Sequence, residues 1–213
     1  MSIRKKQVSK IKCNQTYLCL TFYKTSRRTN IGMPCFNKIN CCFTFFCDII
    51  YWCMNNREDK VGVIMRFIVQ RVTSASVTID GNVNGKIGNG FLVLIGIEEK
   101  DNEKIADKMV DKLIKLRIFE DENGKSNIDL DAVNGGLLLI SQFTLYADCK
   151  KGNRPSYIRA AKPDLAIPLY DYIVDECKKR VDKVETGVFG ADMKVELLND
   201  GPFTIILDSD EIM

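Results

Sequence analysis

The composition of this 213-residue chain changes abruptly at Met65, and that change limits how much of the chain can form one folded unit. Residues 1–64 contain 11 Lys and Arg against three Asp and Glu, a net charge of +8. Residues 65–213 contain 20 basic and 25 acidic residues, a net charge of −5. The overall charge of +3 therefore averages two segments of different physical character. We predict one compact domain over 65–213, a length that can bury a substantial core.

The first 64 residues show no sustained helical or alternating pattern, so the sequence predicts no folded element there. They hold seven of the nine cysteines but no Cys-x2-Cys pair, and the chain has no histidine, which disfavours a zinc site. Their longest apolar run, residues 42–53, is interrupted by Asp48 and is shorter than the ~20 residues of a membrane-spanning helix. We interpret residues 1–64 as a disordered extension, or as an upstream region translated ahead of a true start at Met65. An organelle-targeting extension, favoured by the lack of acidic residues before Asp48, is the alternative.

Strand patterns dominate the first part of the domain. Residues 66–72 and 76–79 are rich in β-branched side chains, and Asp80-Gly81 predicts a hairpin turn into a strand over 83–87. The apolar run Phe91–Ile97 is short enough to be a strand that is buried on both faces.

Two helices are predicted where apolar residues recur at helical spacing. Asp101 is the predicted cap of the first helix. The second helix runs to about Val181, and we place its start near Pro168 because an interior proline loses a backbone donor. A further buried strand is predicted over 137–143, and a last hairpin over 193–207. Grouped strands with two substantial helices argue for an α+β domain.

The complete absence of histidine removes several kinds of hydrolytic chemistry. Ser-His-Asp and Cys-His hydrolases are excluded, as are metallohydrolases with a His-x-x-x-His pair. The glycines over 85–90 are in the wrong order for dinucleotide binding, and no Gly-x-x-x-x-Gly-Lys phosphate loop occurs. Cys149 and Cys177 have no evident base near them in sequence, so neither is a candidate nucleophile. Two unpaired thiols suit a reducing compartment, and we expect a cytoplasmic protein that requires no metal or cofactor.

Two short motifs carry a resemblance to a known family. Residues 141–148 are SQFTLYAD, and residues 199–204 are NDGPFT. Together with MRFIVQRV at 65–72, they make the sequence resemble the D-aminoacyl-tRNA deacylases over about residues 65–208, with residues 1–64 outside. The resemblance implies a rolled, barrel-like mixed β-sheet with flanking helices, assembled as a homodimer. It also implies hydrolysis of the ester of D-aminoacyl-tRNA, and of glycyl-tRNA mischarged on tRNA-Ala.

The first motif is the candidate catalytic segment. An activated ester can be cleaved by orienting it and by supplying hydrogen-bond donors to the tetrahedral oxyanion. A strand that ends at Ser141 can aim the amides of Phe143 and Thr144 into a pocket, while Gln142 positions the substrate. The resemblance implies that the vicinal ribose 2′-OH of the tRNA assists. Thr144 as covalent nucleophile is the less favoured alternative, since no neighbour in sequence would activate it; a structural hydroxyl is the third interpretation.

Gly201-Pro202 in the second motif is the candidate chiral gate. The resemblance implies a cis peptide that reaches into the partner subunit's site, whereas an isolated Gly-Pro turn is usually trans. Rigid carbonyls there would clash with an L side chain and admit a hydrogen, so D-amino acids and glycine would enter. Arg71 is the candidate support of this gate, with a surface cation as the alternative. Pro202 is followed by Phe203, where the resemblance leads one to expect valine.

A basic loop is the candidate tRNA contact: Lys150, Lys151 and Arg154. Each phosphate that such residues neutralise releases counterions and adds salt-dependent affinity, and a merely solvated loop is the alternative. We expect recognition of the acceptor 3′ end of D-aminoacyl-tRNA and glycyl-tRNA, without a membrane. Two other functions remain open. One is a related deacylase of L-alanyl mischarged tRNA, associated with a trans Gly-Pro; the other is a nucleic-acid or protein-binding module without hydrolysis.

Overall fold

A computed structural model provides the structure of the protein, which describes residues 65–212. The interpretations of residues 1–64 therefore lie outside the described residues. The strands are β1 (Arg66–Ile79), β2 (Asn82–Ile87), β3 (Gly90–Gly96), β4 (Phe119–Glu120), β5 (Ser126–Ile128), β6 (Gly136–Ser141), β7 (Val184–Thr186) and β8 (Lys194–Asp208). The helices are α1 (Glu103–Ile114), α2 (Pro163–Lys178) and α3 (Ser209–Ile212), with 3-10 helices at Asp131–Val133 and Phe143–Tyr146. None of these helices is long and apolar enough to cross a bilayer.

One mixed sheet of six strands is built around the long strand β1. β1 pairs antiparallel with β3 over residues 66–72 and with β2 over residues 75–79, and its other edge pairs antiparallel with β8. β6 runs parallel to β3, and β7 runs parallel to β6. The Nδ2 of Asn84 in β2 donates to the Thr186 carbonyl of β7 at 2.7 Å, so the two ends of the strand order lie side by side. The sheet is nearly closed, and the predicted barrel-like α+β fold is confirmed.

The central strand β3 is buried on both faces because its side chains alternate between two apolar cores. Phe91, Val93 and Ile95 belong to the larger core, which includes buried residues of α1 and α2. Leu92 belongs to a smaller core with Leu138 of β6 and residues of β1 and β2. Burying each such side chain stabilises the fold by ~1.5–3 kcal/mol. A continuous apolar run is what a strand with two covered faces requires.

The parallel pair of β3 and β6 starts where only glycine fits. Gly90 has φ +152, and a Cβ on it would lie 2.0 Å from the Gly136 carbonyl oxygen. The Gly136 amide donates to the Asn89 carbonyl at 2.9 Å. The two backbones thus approach more closely than any side chain would allow, which fixes the register of the two strands at their starts.

Helix α1 is capped by Asn102 rather than by the predicted Asp101. The Asn102 side-chain oxygen accepts a hydrogen bond from the Ile105 amide at 3.3 Å. Asp101 is instead buried just before the helix, where its carboxylate accepts from the Glu98 amide at 2.7 Å. Asn and Asp are equally good caps, so propensity alone could not choose between two neighbours.

Helix α2 begins at Pro163, ahead of the start predicted near Pro168. Pro163 lies in the first turn, where the missing N–H has no intrahelical acceptor to lose. Pro168 lies inside the helix and forgoes only the hydrogen bond to the Asp164 carbonyl of that same turn. Packing of the apolar face overrides this loss, since Ile173 and Cys177 are fully buried in the larger core.

The prediction of a final hairpin was wrong, although both of its predicted strands exist. Residues 194–208 form the single strand β8, whose two halves both pair antiparallel with β1. Gln70 pairs with Thr204, and Val72 pairs with Asn199, so residues 200–203 loop out between the halves. We call these four residues the β8 bulge. The chain does not reverse there because both flanks find the same partner edge.

Candidate active site

The first motif lies where β6 ends. The Gln142 amide donates to the Ile95 carbonyl of β3 at 2.7 Å, and the chain then turns into the 3-10 helix Phe143–Tyr146. Leu145 and Tyr146 are buried in this short helix, whereas the Phe143 side chain is 55% exposed. Two buried residues and one backbone hydrogen bond therefore hold the exposed start of the helix in place.

The amides of Phe143 and Thr144 are available to a ligand. The first N–H groups of a helix have no intrahelical acceptor, and within residues 65–212 neither of these two amides has a hydrogen-bond acceptor. The Gln142 Nε2 donates to the Thr144 Oγ1 at 2.5 Å. A side-chain amide cannot take a proton from that hydroxyl, so this contact orients Thr144 without activating it as a nucleophile.

An exposed aromatic pair lies next to these amides. The Phe143 ring meets the Tyr157 ring edge-on, with centroids 5.1 Å apart and an interplanar angle of 74°. Both side chains are partly open to solvent, and Ile158 beside them is 90% exposed. Sequence reasoning missed Tyr157 because no periodicity or motif links it to Phe143.

The basic loop follows the first motif directly. Asp148 and Ser156 exchange two backbone hydrogen bonds, at 2.7 and 2.9 Å, and so close residues 149–155 into a loop. The three predicted tRNA-contacting residues, Lys150, Lys151 and Arg154, are all exposed on it. Since Tyr157 comes immediately after this loop and contacts Phe143, the loop and the first motif occupy one region of the surface.

Two buried titratable side chains, Tyr146 in the first motif and Cys177 in α2, cannot act as bases at neutral pH. Burial raises the pKa of Tyr146 well above its ordinary value, so the phenol stays protonated at neutral pH. Burial also raises the pKa of Cys177 to about 12, which removes its thiolate. Within residues 65–212, no group of three or more His, Cys, Asp and Glu side chains is arranged to hold a metal ion.

The β8 bulge presents its central dipeptide to solvent. Gly201 has φ +126, the Gly201-Pro202 peptide is cis, and both residues are exposed. The Asn199 Oδ1 accepts a hydrogen bond from the Phe203 amide at 2.7 Å and so bridges the two ends of the bulge. Asn199 was not among the predicted site residues, although an Asn beside Asp-Gly is a signal for this kind of side-chain to backbone bond.

Arg71, the predicted support of the gate, lies beneath the β8 bulge. Its Nε is 3.2 Å from the Asp200 carbonyl oxygen and 3.1 Å from the Asp200 carboxylate. Its Nη1 donates to the Ile118 carbonyl at 2.6 Å, and its guanidinium carbon lies 4.8 Å from the centroid of the Phe203 ring. Arg71 is only 4% exposed, which excludes the alternative of a surface cation. A planar guanidinium suits several acceptors and an aromatic face at once.

Within one chain, the first motif and the β8 bulge do not come together. Ser141 at the end of β6 pairs with Ile95, which pairs with Phe67 of β1. Arg71, beneath the bulge, lies four residues further along β1, or about 13 Å at ~3.3 Å per residue. Three strand spacings from β6 to β8 add roughly 14 Å across the sheet. The two motifs therefore lie on different strands and well apart on the sheet.

Comparison with known proteins supports one family. The family model described as "D-Tyr-tRNA(Tyr) deacylase" matches residues 68–208, a range that contains both motifs and the basic loop. A D-aminoacyl-tRNA deacylase from Thermosipho africanus is 53% identical over 148 residues, which cover 70% of this chain and 99% of that protein. Another from Parabacteroides distasonis is 55% identical over 146 residues, covering 68% and 97%. This chain belongs to the D-Tyr-tRNA(Tyr) deacylase family. The predicted family and the predicted enzyme class are thus confirmed.

Two solved structures share the fold of this deacylase family member. One, titled "c-Myc DNA Unwinding Element Binding Protein", has a TM-score of 0.64 at 40% sequence identity and covers 67% of this chain and 97% of that one. The other is titled "Structural Analysis of a probable eukaryotic D-amino acid tRNA deacylase". It has a TM-score of 0.60 at 17% identity, covers 68% and 99%, and shows likeness of fold alone.

Proposed function

We propose that this deacylase hydrolyses the ester between a D-amino acid and the 3′ end of tRNA, and that it also removes glycine from mischarged tRNA-Ala. The observation that carries the proposal is the pair of amides of Phe143 and Thr144, which have no acceptor within residues 65–212. Main-chain donors at the end of a rigid strand suit an ester that is already activated.

The proposed reaction uses water as the nucleophile. Water adds to the ester carbonyl, and the developing oxyanion accepts hydrogen bonds from the amides of Phe143 and Thr144. The ribose oxygen then leaves with a proton, assisted by the vicinal 2′-OH of the tRNA, and the free amino acid is released. One oxyanion donor is worth roughly 10²- to 10³-fold in rate, so two donors supply a large share of catalysis. Gln142 and Ser141 position the segment and its substrate.

The β8 bulge is the proposed chiral gate. The main chain of Gly201 and Pro202 is exposed and is held from beneath by the buried Arg71 and across its ends by Asn199. A main-chain surface held this firmly would exclude an L side chain by shape and would admit a hydrogen. Such a gate would exclude L side chains without recognising the D side chain itself. One enzyme could therefore act on glycine and on many different D-amino acids.

A homodimer is proposed because one chain does not complete the site. The first motif and the β8 bulge lie well apart on the sheet of one chain, which supports a second copy as the source of the gate for each catalytic segment. The exposed Phe143, Tyr157 and Ile158 would become covered in such a pair. Sedimentation equilibrium should give the mass of two chains.

The basic loop is the proposed contact with the acceptor end of the tRNA, in a cytoplasmic enzyme. Its three cations lie in the same surface region as the first motif, where phosphates next to the scissile ester would be within reach. The domain as a whole carries a charge of −5, so the favourable potential is local rather than general. Binding should therefore weaken steeply with salt but show little sequence preference.

The test is release of amino acid from D-Tyr-, L-Tyr-, Gly- and L-Ala-charged tRNA. We expect turnover of the D-Tyr and Gly substrates and none of L-Tyr. Equal rates on D-Tyr and L-Tyr would overturn the gate, and turnover of L-Ala alone would identify the related L-alanyl deacylase activity. Thr144→Ala should lose less than ~10-fold if Thr144 only orients the segment, and Thr78→Ala in the distant hairpin is the matched control.

A nucleic-acid-binding module without hydrolysis is the second candidate. The observation in its favour is the 40% identical structure whose title names binding to a DNA unwinding element. Such a module would bind tRNA or DNA with the same affinity before and after the Phe143→Pro substitution, which removes the amide N–H. It would release no amino acid from any charged tRNA. Filter binding beside the release assay separates the two candidates.

A further inference from the structure

Asp101 is a buried carboxylate with an oxygen that nothing satisfies within residues 65–212. Its side chain is 4% exposed, directly before the cap of α1. One oxygen accepts from the Glu98 amide at 2.7 Å, but Oδ1 has no hydrogen-bond partner in that range. Buried carboxylates are normally paired, and each exception calls for an explanation.

The surroundings of Asp101 oppose its ionisation. Burial raises the pKa of Asp101 to about 7, and the carboxylate of Glu98 adds to the rise. Only the amides of Glu98 and Met65 oppose it. An ion-paired carboxylate would show the reverse shift, toward a lower pKa.

The backbone amide of Met65 lies close enough to Asp101 to lower the pKa of that carboxyl. The Met65 amide donates to the Ser209 Oγ at 2.9 Å, and the Ser209 amide donates back to the Met65 carbonyl at 3.0 Å. The Met65 side chain is fully buried in the larger core. A backbone amide has one hydrogen, so the Met65 amide cannot fully satisfy both Ser209 Oγ and the Asp101 carboxyl, and Asp101 Oδ1 has no hydrogen-bond partner among the described residues.

We infer that the functional chain begins at Met65, with its α-ammonium group buried between Ser209 Oγ and the Asp101 carboxylate. An ammonium has three hydrogens, so it can keep the bond to Ser209 and also donate to Asp101. It also carries the positive charge that the carboxylate lacks. This α-ammonium site is built from three distant parts of the described sequence: the residue before β1, the residue before the cap of α1, and the start of α3.

Two independent observations agree with a start at Met65. The charge and cysteine content change at that residue. The relatives from Thermosipho africanus and Parabacteroides distasonis are matched over 99% and 97% of their own length by only 148 and 146 residues of this chain. Proteins of that length have no counterpart to residues 1–64. The inference does not depend on the proposed function.

The first experiment identifies the natural N-terminus. Intact-mass and N-terminal peptide analysis of the protein from its source cells should give a chain that starts at Met65 with an unmodified amine. Any peptide in which residue 64 is joined to Met65 in the purified, folded protein would overturn the inference.

The second experiment tests the α-ammonium site in the full chain. Residues 61–64 are replaced by the factor Xa sequence Ile-Glu-Gly-Arg, so that cleavage releases the Met65 amine. Cleavage is done in a denaturant concentration that the protease tolerates, and the product is refolded. The matched control carries the same sequence at residues 47–50 and yields a product that begins at Tyr51, which removes most of the extension without freeing Met65.

We expect cleavage before Met65 to raise the folding equilibrium constant about tenfold or more, because a buried charge gains its partner. Cleavage before Tyr51 should change it less than about threefold. The Asp101→Asn variant should lose most of the gain from freeing Met65. Equal gains for both cleavage sites, or a gain that persists in Asp101→Asn, would show that the ammonium does not bind there.

Discussion

The end of β6 and the β8 bulge both expose main chain, but the two are held in different ways. At the end of β6, the Phe143 and Thr144 amides have no acceptor in the part of the chain that the structure describes, and Gln142 orients the Thr144 hydroxyl. In the bulge, the buried Arg71 and the partly buried Asn199 hold the exposed dipeptide from two sides. The first region can donate hydrogen bonds to developing charge, whereas the second can act through shape.

In the proposed mechanism, main-chain groups act in both regions, which suits a chain without histidine. Where the backbone itself makes the contact, truncating a side chain should matter little, and removing an N–H should matter greatly. Where side chains hold the backbone, truncating the buried support should matter most. The following variants test that contrast.

The largest effect is expected for Phe143→Pro, which deletes an amide donor. Proline is well tolerated at the first position of a helix, and Gln142 before it has φ −145 and ψ 81, outside the α region. Phe143→Ala is the matched control because it removes the ring and keeps the N–H. We expect Phe143→Pro to lose roughly 10²- to 10³-fold in kcat relative to Phe143→Ala. Equal single-turnover rates for the two variants would refute the oxyanion role of this amide.

The next largest effect is expected for Arg71→Met, which keeps the length of the side chain and removes its polar contacts. The Asp200 and Ile118 carbonyls would lose their donor, and unfolding should become easier by about 2–4 kcal/mol. A shift of ~1 Å in the gate can cost 10²-fold in kcat/KM, and the ratio of D-Tyr to L-Tyr turnover should fall.

The control for Arg71 is Arg117→Met. Arg117 contacts Asn127 at the exposed surface, so its loss should change stability by less than ~0.5 kcal/mol. Urea unfolding and the release assay measure both variants. If Arg71→Met keeps the full D over L preference, the bulge does not depend on its support.

A smaller effect is expected when the basic loop is neutralised by Lys150→Gln, Lys151→Gln and Arg154→Gln together. KM should rise while kcat stays unchanged, because the proposed role of the loop is to contact phosphates rather than the ester. The slope of log affinity against log salt should decrease by roughly 0.7–0.9 for each phosphate that the loop no longer neutralises. The control replaces Lys108, Lys112 and Lys115 on α1 and its end by Gln. An equal slope change in that control would assign the salt effect to net charge alone.

The smallest effect is expected for Asn199→Ala, which removes one hydrogen bond across the bulge. The Phe203 amide would lose its acceptor, at a cost of about 1 kcal/mol. Asn199→Asp keeps an acceptor oxygen and should restore most of the stability. For Asn199→Ala we expect kcat/KM to fall by less than ~10-fold. Identical unfolding curves for the Ala and Asp variants would mean that this bond does not hold the bulge.

Two Asp-Gly pairs show how far local sequence predicts this fold. Asp80-Gly81 makes the predicted hairpin turn, because β1 and β2 pair with each other. Asp200-Gly201 has the same turn propensity, yet it forms a bulge, because both flanks pair with β1. Local propensity was identical in the two places, and the long-range partner decided the outcome.

The predicted residues of the candidate site are those within the sequence motifs and the basic loop. The buried run at β3 and the position of Gln142, Phe143 and Thr144 at a strand end followed from apolar pattern and resemblance. Tyr157 could not be found, since its contact with Phe143 depends on the path of the intervening loop. Asp101 was misassigned as a cap because its burial, and its nearness to the Met65 nitrogen, arise only when β1, α1 and α3 are packed together.

The pairing of β8 with β1 has a mechanical consequence. Both flanks of Gly201-Pro202 belong to one ladder, so a ligand that pushes on this dipeptide cannot displace it by swinging a loose hairpin. Displacing the bulge would require breaking the backbone pairing between β8 and β1 on both of its sides at the same time. Amide protons of Thr204 and Asn199 should therefore exchange with deuterium as slowly as those in the centre of the sheet, and the bulge should move little when the proposed ester substrate binds.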